Sequence, residues 1–282
     1  MSLFSNLDML HAAAGMLVGL LVGLTGVGGG SLMTPLLVLL FGVSPQTAVG
    51  TDLLYAAITK IAGSAVHGWR ETVNWKIVRR LAMGSIPASI ITLLLLPRPG
   101  HVGGGSEKII LTSLAVLLAA TALAVAFRTK LVTLAQHRAP IEPPARVVAS
   151  TVLLGALVGV AVSISSVGAG AIGVTVLLVL YPRLPVVNIV GSDIAHAVPL
   201  ALIAGTGHWI LGDVDSELLT NLLVGSIPGV IVGSFLSTRA PARILQILLA
   251  CVLALSSWQL FLKAGKSGDA AKPPVIARPV HG

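Results

Sequence analysis

One cysteine, few aromatics and little charge set the first limits on this chain of 282 residues. Cys251 alone cannot form an intramolecular disulfide and belongs to no metal-binding motif, so it is expected to serve as a small buried hydrophobe. Charged residues are 10% of the chain against 55% hydrophobic, with a mean hydropathy of +0.96. That is too little charge to cover a water-soluble globule, so lipid must act as solvent. Aromatics are 4%, and no aromatic platform lies among the basic residues. The net charge of +8 therefore does not indicate a nucleic-acid partner; spread through short loops, it reports topology. No Lys or Arg precedes the first apolar run, and no cleavage site follows it, so a removable signal peptide is not expected. The phosphate-binding loop of an ATPase is missing, and so is the Gly-x-Ser-x-Gly elbow that an intramembrane enzyme using Ser165 or Ser166 with His208 would show. Neither catalysis nor a cofactor or metal is expected.

What is present is a duplication. Gly26-Val27-Gly28-Gly29-Gly30-Ser31 returns as Ser166-Val167-Gly168-Ala169-Gly170-Ala171. Gly50-Thr51-Asp52 returns as Gly191-Ser192-Asp193, His67 as His208, and Gly84-Ser85-Ile86-Pro87 as Gly225-Ser226-Ile227-Pro228, these three at one shared offset of 141. Repetition of this kind marks transporters whose site lies where two halves meet.

Each half holds about five apolar elements, expected near 12–25, 30–41, 47–68, 76–96 and 107–127, then 147–163, 170–181, 187–210, 217–237 and 243–262. The fold class is thus an all-α polytopic membrane protein forming one transport domain. Repeat one covers about 12–127, a Pro-containing linker 128–146, repeat two about 147–262, and a polar, disordered tail 263–282. A run of about 12 residues rises only about 18 Å against a hydrocarbon core of roughly 30 Å, so the first two elements of each half are expected to be broken or re-entrant. Arg70, Lys76, Arg79 and Arg80, and also Arg128, Lys130, Arg138 and Arg146, lie in loops two crossings apart, which places linker 128–146 in the cytoplasm. Asp213, Asp215 and Glu217 then face outside. An odd number of crossings per half makes the two repeats inverted.

The glycine cluster followed by Pro35, the Gly50-Thr51-Asp52 segment read as a helix start, and the repeated Gly-Ser-Ile-Pro resemble the TauE/SafE family of sulfite and organosulfonate exporters, over roughly residues 10 to 262. The resemblance implies a multi-spanning protein of the bacterial cytoplasmic membrane that moves small sulfur-containing anions. It implies a transporter more firmly than a cargo; an anion channel or an uptake permease for another carboxylate or sulfonate is the alternative. The partners expected are a small anion, the lipid bilayer and a proton or sodium ion for coupling.

The residues carry their own chemistry. Glycine permits a break and lets a ligand approach the main chain, and the helix after the break presents free N–H groups and partial positive charge. Gly28, Gly29, Gly30 and Ser31, with Ser165, Ser166, Gly168 and Gly170, are therefore candidate anion contacts; close helix packing is the competing role. Asp52, Ala56, Lys60, Gly63 and His67 follow helical spacing, as do Asp193, Ala197, Ala201, Ala204 and His208 with His196 nearby. Lys60 has no charged counterpart, since Ala201 stands in its place, and it is expected to attract the anion or pair with Asp52 or Asp193. A charge inside a bilayer costs at least about 2.5 kcal/mol and usually has a task. Asp52, Asp193, His67, His196 and His208 are the candidates for coupling or gating. Capping of a helix start competes for the acids, and hydrogen bonding at a helix end for His67 and His208. Trp69, Trp75, Trp209 and Trp258 read as an interfacial belt.

Overall fold

The computed structural model describes residues 8–25, 30–67, 73–96, 104–137, 145–168, 170–236 and 242–270. Ten helices are described: α1 (Met9–Thr25), α2 (Gly30–Leu39), α3 (Pro45–His67), α4 (Trp75–Leu95), α5 (Gly104–His137), α6 (Ala145–Ser165), α7 (Ala171–Leu180), α8 (Val186–Leu211), α9 (Ser216–Leu236) and α10 (Ala242–Ala270). Six segments, within α4, α5, α6, α8, α9 and α10, are long and apolar enough to cross a membrane. Their outward faces carry Met83, Leu94, Leu95, Ile210, Phe235 and Trp258, all exposed, as lipid-facing helices require.

The short elements divide unevenly. α2 and α7, at 10 residues each, rise only about 15 Å and cannot span, as expected. α6 departs from the expectation: at 21 residues it is long enough to cross, and the break lies after it. α5 continues to His137 and α10 to Ala270, so both helices run beyond the ends that hydropathy alone suggested. Cys251 is exposed on α10 rather than buried, because its face of the helix borders the outer groove with α5.

The halves are interlaced. α1 packs along α9, and α6 along α4, through contacts that repeat residue for residue. A Cβ on Gly15 would lie 2.2 Å from the carbonyl oxygen of Leu222, and one on Gly155 2.2 Å from that of Leu81. In return, Gly84 faces Val152 and Gly225 faces Ala12 at 2.0 and 1.8 Å. Small residues here let backbones approach closely, which drives helix association where lipid removes the hydrophobic incentive. Two apolar cores result. Val18, Leu37, Leu114, Leu222 and Leu253 join α1, α2, α5, α9 and α10 in one, while Ile77, Leu81, Leu154, Leu177 and Leu200 join α4, α6, α7 and α8 in the other. α3 contributes to both, with Tyr55 in the first and Leu53 in the second.

Hydrogen bonds show the same exchange. The N–H of Asn74 donates to Ser192 Oγ at 2.8 Å, and the N–H of Asp215 donates to Thr51 Oγ1 at 3.1 Å. Asn74 and Asp215 in turn cap α4 and α9: Asn74 Oδ1 accepts from Lys76 N–H, and Asp215 Oδ1 from the N–H groups of Glu217 and Leu218.

Candidate functional site

The helix-start reading of Gly50-Thr51-Asp52 is corrected by the structure. α3 begins at Pro45, and α8 begins at Val186 after Pro185 at its N-cap, so both acids lie about two turns inside their helices. Proline supplies the N-terminal signal at both places. Asp52 and Asp193 therefore cap nothing and have no first-turn role.

Asp52 is fully buried and Asp193 is 3% exposed. The surroundings of the two differ. One oxygen of Asp52, Oδ2, accepts from the Thr34 N–H at 3.2 Å and from the Thr34 hydroxyl at short range, which fastens α3 to α2. Its other oxygen, Oδ1, is buried with no hydrogen-bond partner among the described residues. Ser166 is the hydroxyl beside Asp52. Asp193 instead lies against the α7 backbone, where a Cβ on Gly173 would come within 2.5 Å of Asp193 Oδ1. Thr175, which corresponds to Thr34 at the shared offset, leaves its hydroxyl unpaired among the described residues.

Lys60 lies within electrostatic range of both acids. It is partly buried and makes no direct ion pair among the described residues. His196, 2% exposed, is also within its field and bonds Ser85 Oγ through Nε2 at 2.7 Å. His208 has both ring nitrogens engaged: Nδ1 is 3.1 Å from Asp213 Oδ2, and Nε2 is 2.8 Å from the Ser163 carbonyl oxygen. It ties α8 to α6 and to the loop before α9, the structural role that the sequence set against gating. The side chain of His67 lies outside the described residues.

The second glycine cluster forms a break. α6 ends at Ser165, Ser166 takes a left-handed φ of 58°, Gly168 and Gly170 both have φ of 124°, and α7 starts at Ala171. Such angles at Gly168 and Gly170 require glycine. Ser165 bonds within the break, donating to the Ala161 carbonyl and accepting from the Val167 N–H at 3.1 Å. In the first copy Gly28 and Gly29 lie outside the described residues, Gly30 opens α2, and Ser31 is buried behind it. The break of the second copy thus adjoins Asp52 of the first through Ser166.

Thr34, Tyr55, Ser85, Gly173 and Ser226 join the site without having been singled out as site residues. Ser85 and Ser226 carried a signal, since both occur in the repeated Gly-Ser-Ile-Pro. Tyr55 and His196 correspond at the shared offset and meet these serines, His196 with Ser85 and Tyr55 beside Ser226. Two larger grooves, about 530 Å³ between α5 and α10 and about 510 Å³ between α4 and α8, lie on outer faces away from these residues. Trp75, Trp209 and Trp258 are exposed on such faces, and Trp69 lies outside the described residues.

A helical bundle with apolar outer faces and ionisable groups gathered at its centre defines a multi-pass integral membrane protein. Residues 11–260 match the family model described as "Sulfite exporter TauE/SafE", so the chain belongs to the TauE/SafE family of membrane transporters. It is 40% identical over 247 residues to "Probable membrane transporter protein YjnA" of Bacillus subtilis (strain 168), covering 87% of this chain and 96% of that one. A "Probable membrane transporter protein" of Xylella fastidiosa (strain Temecula1 / ATCC 700964) is 27% identical over 234 residues, 81% of this chain and 84% of the other. "Probable membrane transporter protein YdhB" of Bacillus subtilis is 26% identical over 246 residues, 82% and 90% respectively. No solved structure matches.

Proposed function

We propose that this protein is a secondary transporter of the bacterial cytoplasmic membrane that exports small sulfur-containing oxyanions, sulfite or an organosulfonate, by alternating access. The observation that carries this reading is Lys60 within electrostatic range of both Asp52 and Asp193, acids on the helices where the two repeats meet, with Asp52 beside the α6–α7 break through Ser166. The N-terminus of α7, with Gly168, Gly170 and the N–H groups that follow, offers partial positive charge and close main-chain approach to an oxyanion. Lys60 supplies the full charge. Coupling falls to the acids, which take up and release a cation as access changes. In this reading the repeats are inverted, with linker 128–146 in the cytoplasm. The bodies that move past one another are the two interlaced helix groups rather than the two sequence halves, because α1 packs on α9 and α4 on α6.

The test is uptake and efflux of radiolabelled sulfite, sulfoacetate and taurine in proteoliposomes, with unlabelled anion on the opposite face. Saturable counterflow of a sulfur oxyanion is the expected result. Conductance that does not saturate would make the protein a channel, and saturable exchange of carboxylates alone would overturn the sulfur cargo.

A further inference from the structure

We infer that the buried oxygen cluster formed by Asp52, Ser166, Tyr55 and Ser226 is a sodium-binding site. Asp52 Oδ1, Ser166 Oγ, Tyr55 OH and Ser226 Oγ are each buried and make no hydrogen bond of good geometry among the described residues, although Ser166 interacts with Asp52 and Tyr55 with Ser226. The four residues are at most 7% exposed. They are contiguous: Ser166 neighbours Asp52, Tyr55 neighbours Ser226, and Asp52 and Tyr55 lie three residues apart on one face of α3. Buried polar atoms in folded proteins almost always have well-formed partners, so four adjoining oxygens whose mutual contacts fall short of good hydrogen bonds point to a ligand that accepts electron pairs. A hard cation bound by carboxylate and hydroxyl oxygens has that character.

Charge selects the same occupant. A buried carboxylate needs a counter-charge, and Lys60, two turns along α3, makes no ion pair with Asp52 among the described residues. Asp52 is thus left for a mobile cation. The backbone favours it as well: Ser166 follows directly on the C-terminus of α6, where the last carbonyls carry partial negative charge. The break therefore presents a cation-favouring helix end at Ser166 and an anion-favouring one at α7, within five residues of each other. The second repeat does not reproduce the site. His196 stands in place of Tyr55, and its Nε2 already holds Ser85, the counterpart of Ser226. One sodium per chain follows. This inference rests on the transport reading and deepens it by naming one coupling cation, held at Asp52, but its chemistry is measurable with no anion present.

The experiment is equilibrium binding of radiolabelled sodium to the purified full-length protein, with choline replacing sodium as the baseline and melting temperature followed in parallel. Saturable binding near one ion per chain is expected, with a melting temperature that rises with sodium concentration. Asp52→Asn should abolish binding, and Ser226→Ala should weaken it by about tenfold while Thr121→Ala, which removes a buried hydroxyl that bonds the Leu117 carbonyl on α5, leaves it unchanged. Absence of saturable binding, or equal binding by wild type and Asp52→Asn, overturns the proposal. If Asp52→Asn does not fold, the comparison of Ser226→Ala with Thr121→Ala decides, and equal affinity of those two overturns it. Anion counterflow without sodium binding would sink the sodium site alone, whereas sodium binding without movement of any sulfur anion would sink the cargo alone.

Discussion

The N–H of Asp215 donates to Thr51 Oγ1 at 3.1 Å, so the loop entering α9 hangs on a hydroxyl of α3. Asn74 and Ser192 make the same bond in the other direction. In the repeated Gly-Thr/Ser-Asp the hydroxyl locks the neighbouring half, and the acid beside it is left for the centre. Thr51→Val and Ser192→Ala should each cost about 1 kcal/mol, with nearly additive loss in the double variant because the two bonds share no partner. Thermal melting in detergent measures this, and strong coupling between the two sites would contradict it.

Glycines at the crossed interfaces should tolerate no side chain. Gly84→Ala and Gly225→Ala place a methyl within 2.0 Å and 1.8 Å of opposing carbonyl oxygens, so the helix pairs must separate. Each should lower stability by at least about 2 kcal/mol, within the overpacking range. Gly265→Ala, where nothing lies within 4 Å, should be neutral or slightly stabilising through helix propensity.

Lys60 is tested by charge and by shape. Lys60→Ala should weaken sulfur-oxyanion binding more than Lys60→Arg does, since arginine keeps the charge but changes its geometry. Wild-type affinity in both variants would remove the central cation from the binding site.

The two acids should separate under an imposed gradient. Asp193→Asn removes one of the two carboxylates in electrostatic range of Lys60, and with it a group that can take up a proton. It should abolish accumulation driven by a pH gradient while part of the counterflow survives. Unchanged pH-driven accumulation in Asp52→Asn, Asp193→Asn and the double variant would exclude proton coupling through these groups.

Topology is checked with single cysteines in a Cys251→Ala background. Lys130→Cys, exposed near the end of α5, should resist an impermeant reagent added to intact cells, and Glu217→Cys should react. Labelling in the reverse pattern would invert the orientation.

Much of this was legible in the sequence because duplication prints its geometry at a fixed offset. Asp52 and Asp193 and the break at Gly168 and Gly170 could be read directly, whereas the small-residue rows Gly15, Gly19, Gly23 and Gly225, Gly229, Gly233 emerge only from the packing. The start of α3 was misplaced because Gly50-Thr51-Asp52 looks like a polar interruption, whereas Pro45 begins the helix and tertiary bonds absorb the polar groups. Thr34 and Ser166 were not legible as partners of Asp52. They reach it from other helices, and no local periodicity encodes an interhelical hydrogen bond. The crossed packing had no signal either, since glycines spaced along a helix do not name the helix that packs there.

That crossed packing also bears on how the protein is made. While the ribosome is still within the second half, α1 and α4 have entered the bilayer without the helices that cover their glycine faces. The first half is then a collection of inserted helices awaiting partners, and the order of synthesis delays the native core until α6 and α9 arrive. A gene cut between the repeats should yield two fragments that are unstable apart and become a stable protein when expressed together, each completing the other.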